Sequence, residues 1–209
     1  MSKDTAVLQF WFEFGSTYSY LSALRIERAA ANVGVTLIYK PFLLGPIFRS
    51  FGWETSPFLL QKEKGSYMWE DMRRQARKYG LPWRKPSNFP RSAILPARIA
   101  IFGAAQPWIG AFCREVMLLN FSSDKEINSR EEMTHLLSTL GLPAEEILRG
   151  AESAENKEEL RAQTHQAAQL GIFGAPSFIS RGTLFWGNDR LEDAIIHAAH
   201  LDPSLHNLG

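Results

Sequence analysis

The stretch LQFWFEFGSTYSYL, residues 8–21, decides the fold. Large apolar residues alternate with other side chains from Leu8 to Phe14, which is typical of a β-strand with one apolar face. Gly15 and Ser16 break this alternation, and serine is a preferred residue at the start of a helix. The residues that follow predict a helix that continues to about Ala31. The stretch therefore predicts a strand, a sharp turn and the start of a helix.

A second strand is predicted at residues 35–39, directly after this helix. The opening of the chain is then a β-α-β unit, and such crossovers normally place their two strands parallel. Near the other end of the chain, residues 177–180 and 183–186 predict a short β-hairpin. The two outer parts each present an apolar sheet face, so we expect them to pair into one sheet.

A last helix is predicted from Asp189 or Arg190 to about His200. Asp189 and Glu192 have the spacing of a reciprocal N-terminal cap. Residues 45–171, by contrast, carry several helix signatures and no convincing strand. We therefore predict an α/β fold in which residues 1–44 and 172–209 form a discontinuous domain, with residues 45–171 as an all-helical insertion.

The composition excludes several classes of function. The 23 Lys and Arg are scattered among 22 Asp and Glu, the formal net charge is +1, and so a nucleic-acid surface is not expected. No apolar stretch approaches the ~18 residues of a membrane span, and the N-terminal residues do not resemble a signal peptide. The histidines lack metal-site spacing, so no metal is expected. We expect a soluble cytoplasmic protein.

Cysteine chemistry is also restricted. The chain has one cysteine, Cys113, which excludes an intramolecular disulfide and a cysteine-rich zinc site. Cys113 lies in an apolar helical stripe, a position typical of an inert packed thiol.

Two short segments carry the features of a reactive site. The first is the turn at Ser16, where helix N–H groups and a hydroxyl would stabilise an anion, although Ser16 taken alone is explained by helix capping. The second is Gly174-Ala175-Pro176, where a proline lies directly before a strand. The sequence alone does not decide between capping and chemistry at Ser16.

Five blocks stand out along nearly the whole chain: Phe12–Leu21, Pro41–Gly45, Lys64–Asp71, Gly174–Phe178 and Phe185–Leu191. Together, and in this order, they resemble one family, the 2-hydroxychromene-2-carboxylate isomerases. The resemblance implies a thioredoxin-like fold of the DsbA-like type, βαβ followed by ββα, with a helical insertion. It also implies kinship with the kappa-class glutathione transferases, which lack the dithiol of disulfide oxidoreductases.

The resemblance implies that glutathione is the cofactor. Ser16 matches the serine that hydrogen-bonds the glutathione sulfur. Ala175, before a cis-proline at Pro176, matches the residue that pairs with the cysteinyl backbone in a strand-like manner.

The same resemblance assigns the two ends of glutathione. Asn188 and Asp189 match the segment that holds the γ-glutamyl end, with backbone N–H groups facing its carboxylate and Asp189 facing its ammonium group. Lys64 matches a lysine directed toward the glycyl carboxylate.

Three residues depart from the family pattern. Thr17 stands where proline usually follows the serine, and Glu13 replaces a common aspartate. Trp53 stands near the asparagine of the transferases, which favours the isomerases.

Three functions follow as alternatives. The first is a glutathione-dependent isomerase that converts 2-hydroxychromene-2-carboxylate, or a similar intermediate of aromatic degradation, to the trans-benzylidenepyruvate. The second is a kappa-like transferase that conjugates electrophiles, and the third is a non-catalytic binding module. The expected partners are a small aromatic substrate and a second copy of the chain in a homodimer. Candidate residues for an apolar substrate wall are Phe48, Trp53, Trp69, Trp83 and Phe89.

Overall fold

The computed structural model describes residues 6–200 of the chain. One mixed sheet combines strands from both ends of this range: β1 (Val7–Phe12), β2 (Thr36–Pro41), β3 (Ser177–Ser180) and β4 (Thr183–Trp186). The strand order is β2-β1-β3-β4. β1 and β2 are parallel, whereas β3 is antiparallel to both β1 and β4. The predicted single sheet with a parallel pair and a hairpin is confirmed.

Helices cover both faces of this sheet. They are α1 (Thr17–Ala23), α2 (Ile26–Ala31), α3 (Leu44–Ser50), α4 (Pro57–Leu60), α5 (Lys62–Tyr79), α6 (Ile94–Phe102), α7 (Ile109–Phe121), α8 (Arg130–Thr139), α9 (Ala144–Ala151), α10 (Ala154–Gln169) and α11 (Leu191–Ala199). Helices α3 to α10 lie between β2 and β3 along the chain, as the predicted helical insertion requires. The predicted boundaries between the discontinuous domain and the insertion, at 44/45 and 171/172, stay a prediction. The outer ends of that domain, residues 1–5 and 201–209, lie outside the described residues.

Strand β1 is buried on both faces, not on one as the alternation predicted. Phe10 and Phe12 lie in the main core, while Trp11 lies in a second apolar cluster on the other face, with Phe42 and Ile179. Helices α3 and α10 cover that second face. A buried central strand makes the position of the turn after β1 rigid.

The predicted first helix is interrupted. α1 ends at Ala23 and α2 begins at Ile26. The break coincides with Arg25, whose guanidinium lies 3.7 Å from the Tyr79 ring centroid and donates to the side chain of Asn188 at 2.9 Å. These contacts tie the break to the segment after β4.

The last helix begins at Leu191, next to the predicted Arg190, but its predicted cap by Asp189 and Glu192 is wrong. A short 3₁₀ turn, Asn188–Arg190, precedes α11, and no side chain caps that helix. Asp189 is exposed and lies 3.7 Å from Arg190, while Glu192 pairs with Arg25. Both carboxylates thus pair with arginine side chains and do not cap the free backbone N–H groups at the start of α11.

The described residues contain neither a membrane-spanning helix nor a group of metal ligands. Between residues 6 and 200, none of the helices is both long enough and apolar enough to cross a lipid bilayer. In the same part of the chain, no three His, Cys, Asp or Glu side chains are grouped as metal ligands. Cys113 is fully buried in α7, and burial raises the pKa of its thiol well above the ordinary value.

Candidate active site

A cleft of about 1320 Å³ lies where the sheet meets the helical insertion. Five of the six predicted site residues line it: Ser16, Lys64, Ala175, Asn188 and Asp189. The sixth, Pro176, is buried next to them. These residues come from three distant parts of the sequence, and folding brings them to one cavity.

Ser16 stands at the start of α1 and has two hydrogen bonds. Its Oγ accepts from the backbone N–H of Ser19 at 3.2 Å, which is the predicted N-cap. The hydroxyl also donates to the backbone oxygen of Ala175 at 2.9 Å. Ser16 therefore does more than cap α1, because its hydroxyl proton is also donated to the loop before β3.

That loop presents peptide groups to the cleft. The Ala175–Pro176 peptide bond is cis, as the resemblance implied. The Pro176 carbonyl accepts from the N–H of Gly187 at 2.9 Å, and a φ of 106° at Gly187 is a conformation that favours glycine. Over residues 6–200 the backbone N–H of Ala175 has no hydrogen-bond acceptor. The backbone N–H and C=O of Ala175 thus lie next to Ser16, and they resemble the free backbone groups at the edge of a β-sheet.

Glu13 is an acidic residue that lines the same cleft. Its side chain is half-buried. Burial raises the pKa of Glu13 to about 7, and a hydrogen bond from the backbone N–H of Gly15 opposes part of that rise. The resemblance marked Glu13 only as a replacement for aspartate; its burial depends on the insertion and was not predictable from the sequence.

A buried polar network holds the turn from below. Arg91 donates to the side chain of Asn120 at 2.9 Å, and the amide of Asn120 donates to the backbone oxygen of Phe14 at 3.0 Å. Arg91 also pairs with Asp124, and hydrogen bonds, chiefly from Arg91, hold the pKa of that carboxyl well below its usual range. Sequence analysis missed this network because its members are distant in sequence.

Tyr18 and Asp71 join α1 to α5 at the cleft. The Tyr18 hydroxyl donates to Asp71 at 2.8 Å, and burial, followed by the hydrogen bond with Asp71, raises the pKa of Tyr18. Beneath them the hydroxyl of Thr17 contacts Met68 Sδ at 3.2 Å. These contacts hold α1 against α5, the helix that carries Lys64.

The residues predicted to hold the ends of glutathione differ in availability. Lys64 and Asp189 are exposed to the cleft. The side chain of Asn188 is buried and accepts hydrogen bonds from Ser22 at 3.1 Å and Arg25 at 2.9 Å. Asn188 therefore positions the 3₁₀ turn, and it has only backbone groups to offer a ligand.

Part of the predicted apolar wall is present. Phe48, Trp53 and Phe89 line the cleft. Trp69 and Trp83 are not among its lining residues in the described part of the chain. They lie 6.3 Å apart, ring centroid to ring centroid, and Trp83 stacks on Phe121.

Comparison with known proteins agrees with this architecture. The sequence matches the family described as the DSBA-like thioredoxin domain over residues 7–195. A 2-hydroxychromene-2-carboxylate isomerase of Sphingobium xenophagum is 27% identical over 188 residues, 90% of this chain and 95% of the relative. Glutathione s-transferase kappa 2 of Caenorhabditis elegans is 27% identical over 179 residues, 81% of this chain and 79% of the relative.

A solved structure shows the same fold. The selenomethionine form of a 2-hydroxychromene-2-carboxylate isomerase has a TM-score of 0.81 and 24% identity, and the match covers 88% of this chain and 90% of that one. The predicted thioredoxin-like fold with a helical insertion is thus confirmed. The chain belongs to the DSBA-like thioredoxin family, and within it the chain resembles the 2-hydroxychromene-2-carboxylate isomerases and their kappa-class relatives.

Proposed function

We propose that this protein is a glutathione-dependent isomerase of 2-hydroxychromene-2-carboxylate or a similar aromatic-degradation intermediate, with the trans-benzylidenepyruvate as product. The observation that carries the proposal is the contact between Ser16 Oγ and the Ala175 carbonyl, 2.9 Å apart at one end of the cleft. A hydroxyl donor beside an open peptide edge suits a thiol-containing peptide.

The chemistry of the cleft fits glutathione at each end. The N–H and C=O of Ala175 suit the cysteinyl backbone, and the N–H has no other acceptor over residues 6–200. The Asp189 carboxylate has the charge that would bind the γ-glutamyl ammonium group. The Lys64 ammonium has the charge that would bind the glycyl carboxylate. Ser16 would hold the sulfur.

When bound, glutathione would supply a thiolate nucleophile that adds to the substrate and leaves again after rotation about the carbon–carbon bond. Ser16 would stabilise the anionic sulfur by redirecting its hydroxyl from the Ala175 carbonyl. That carbonyl would then accept from the cysteinyl N–H. The exchange conserves the number of hydrogen bonds, so a donor becomes available for the sulfur at low cost.

The remaining volume of the cleft suits an aromatic acid. Phe48, Trp53 and Phe89 provide apolar contact area. Arg49, next to Phe48 on α3, also lines the cleft and forms no ion pair with another of the described residues. A guanidinium beside aromatic rings is suited to a planar carboxylate-bearing ligand.

The second candidate is a kappa-like glutathione transferase. The observation that favours it is the similarity to glutathione s-transferase kappa 2, at the same 27% identity as the isomerase. A transferase would release a stable glutathione adduct, whereas an isomerase returns free glutathione. A non-catalytic binding module is the third possibility, and it requires no turnover at all.

The cellular setting belongs to the same proposal. Reduced glutathione is the thiol pool of the cytosol, and the one cysteine, Cys113, is buried. We therefore propose a cytoplasmic enzyme that acts on small molecules as a homodimer. Light scattering after size-exclusion chromatography measures the oligomeric state.

The test is a spectroscopic assay with hydroxychromene-type acids, with and without reduced glutathione. The proposal predicts conversion to the benzylidenepyruvate only when glutathione is present, with no consumption of glutathione. A glutathione adduct as product would favour the transferase. Isomerisation at equal rates without glutathione would contradict the proposal.

A further inference from the structure

We propose that Glu13 is the base that takes the proton from the thiol of glutathione, an inference that rests on the function proposed above. A thiol with a pKa of about 8.5 is mostly protonated at neutral pH. Forming the thiolate therefore requires an acceptor for its proton. Ser16 does not supply one, because a hydroxyl of that kind stabilises the sulfur as a hydrogen-bond donor.

The backbone brings Glu13 and Ser16 to the same turn. The N–H of Ser16 donates to the Glu13 carbonyl at 3.0 Å, which closes a four-residue turn with its ends less than about 7 Å apart. Both side chains line the cleft. The proposal requires that a ligand atom held by Ser16 lies within reach of the Glu13 carboxyl, directly or through one water, and the shared turn and cleft favour that placement.

Gly15 makes room for that carboxyl. A β-carbon built on Gly15 would lie 3.2 Å from Glu13 Oε2 and 3.1 Å from the backbone oxygen of Arg91. The carboxyl thus lies close to the Gly15 backbone. A side chain at position 15 would displace either the carboxyl or the loop that carries Arg91.

Glu13 forms no ion pair with another residue in the range 6–200, and two charged residues that line the cleft with it, Arg91 and Asp71, are engaged elsewhere. Arg91 packs against Gly15 with its backbone, but its guanidinium binds Asn120 and Asp124. Asp71 accepts from Tyr18. Lys64, Arg49 and Asp189 also line the cleft, and the shift in the pKa of Glu13 comes from burial and the Gly15 N–H. Burial without a countercharge disfavours the ionised form of a carboxyl group, so Glu13 accepts a proton more readily than an exposed glutamate does.

The proton transfer is balanced within the site. The S–H bond breaks, its electron pair stays on sulfur, and the proton forms an O–H bond on the Glu13 carboxylate. When the thiol is released at the end of the cycle, the proton returns to sulfur. Because a carboxylate and a thiolate close together repel each other, the pair retains one proton over a range of pH. A pKa of about 7 for Glu13 places that range near neutrality.

Calorimetry at pH 8 in two buffers of different ionisation enthalpy counts the protons released when reduced glutathione binds. Thiolate absorbance in the ultraviolet measures how much of the bound thiol is ionised. The wild type should form thiolate with little release of protons to the buffer. Glu13→Gln should either form thiolate with about one proton released for each thiolate formed, or form no thiolate.

Glu54→Gln is the matched control, since Glu54 also lines the cleft but is exposed, and it should behave as the wild type. Gly15→Ala keeps the acid but displaces it, so it should shift proton release toward the value of Glu13→Gln. Melting temperatures identify any variant that fails to fold.

Equal proton release and equal thiolate in the wild type and Glu13→Gln would overturn the inference while leaving glutathione binding intact. Absence of any binding heat in the wild type would instead contradict the proposed function itself.

Discussion

The hydroxyl of Ser16 donates to the backbone oxygen of Ala175 at 2.9 Å, across 159 positions of the sequence. This bond joins the start of α1 to the loop that precedes β3. In the proposed mechanism, the hydroxyl proton that Ser16 would donate to the ligand sulfur therefore already has an acceptor in the free protein. Binding must therefore exchange one hydrogen bond for another, and variants of either side should reveal the exchange.

Replacing Ser16 by alanine should slow turnover roughly tenfold to a hundredfold. The variant loses one hydrogen bond to an anionic atom, worth about 1.5–3 kcal/mol. It should also lose about 1 kcal/mol of stability, because Ser16 caps α1. Steady-state rates with saturating glutathione measure the first effect and thermal unfolding the second.

Ser129→Ala is the control for Ser16→Ala. Ser129 caps α8 in the same way, by accepting from the N–H of Glu132, but it is not a lining residue of the cleft. It should lower the melting temperature and leave turnover unchanged. Unchanged turnover in Ser16→Ala would remove Ser16 from the mechanism.

Replacing Asp189 by alanine should abolish most of the thermal stabilisation that glutathione gives. At a hundredfold excess over Kd, a ligand of the folded state adds about 2.7 kcal/mol, or roughly 5–10 °C in Tm for a chain of this size. Without Asp189 the γ-glutamyl ammonium would have no countercharge. Ser16→Ala should retain most of the rise, since the sulfur contact is one of several.

Glu63→Ala is the matched acidic control for Asp189. Glu63 lies in the first turn of α5 and is not among the described residues that line the cleft. A full glutathione-dependent rise in Asp189→Ala would place the ammonium group elsewhere.

The stability of the protein should fall between about pH 4.5 and pH 7 because of Glu13. Its pKa is raised from 4.5 to about 7 in the folded state, so the folded protein holds the proton more tightly than the unfolded chain does. The resulting stability is fully present below pH 4.5 and is lost as the pH rises through 7. The expected loss is on the order of 3 kcal/mol.

Denaturant unfolding of the wild type and Glu13→Gln across this pH range isolates the effect of Glu13. The glutamine variant should lack this part of the pH dependence and be the more stable of the two at pH 8. Parallel stability profiles would show that Glu13 titrates with its ordinary pKa.

Replacing Asn120 by alanine should reduce both stability and turnover. The change leaves the Phe14 carbonyl without its donor and removes one of the acceptors of the Arg91 guanidinium, both in a buried site. The cost in unfolding free energy is about 3 kcal/mol, and the turn that carries Ser16 loses its support. Asn128→Ala removes a comparable bond, to the N–H of Leu95, and should leave turnover unaffected. A folded Asn120→Ala with full activity would refute the positioning role.

Local patterns predicted much of this fold. The turn at Ser16, the hairpin before α11 and the proline at 176 are each marked by residues that act on their immediate neighbours. The resemblance then joined them into a candidate glutathione site, and the structure brings Ser16, Ala175 and Asp189 to one cleft. The assigned roles of these residues stay predictions.

Other features depend on contacts that no local pattern contains. Trp11 lies on the face of β1 opposite Phe10 and Phe12, and the alternation alone does not reveal that α10 covers this second face of the sheet. The side chain of Asn188 accepts hydrogen bonds from Ser22 and Arg25, which are distant in sequence, so no local pattern showed that it positions the turn after β4. The burial that raises the pKa of Glu13 likewise requires the insertion to be in place.

The measurement that tests the account most directly is the binding of reduced glutathione to the wild-type protein by titration calorimetry. The account predicts saturable binding, of about one molecule per chain, at glutathione concentrations up to the millimolar range, and weaker binding by Asp189→Ala. Absence of binding heat at millimolar glutathione would contradict both the isomerase and the transferase, and the non-catalytic binding module would then describe the protein best.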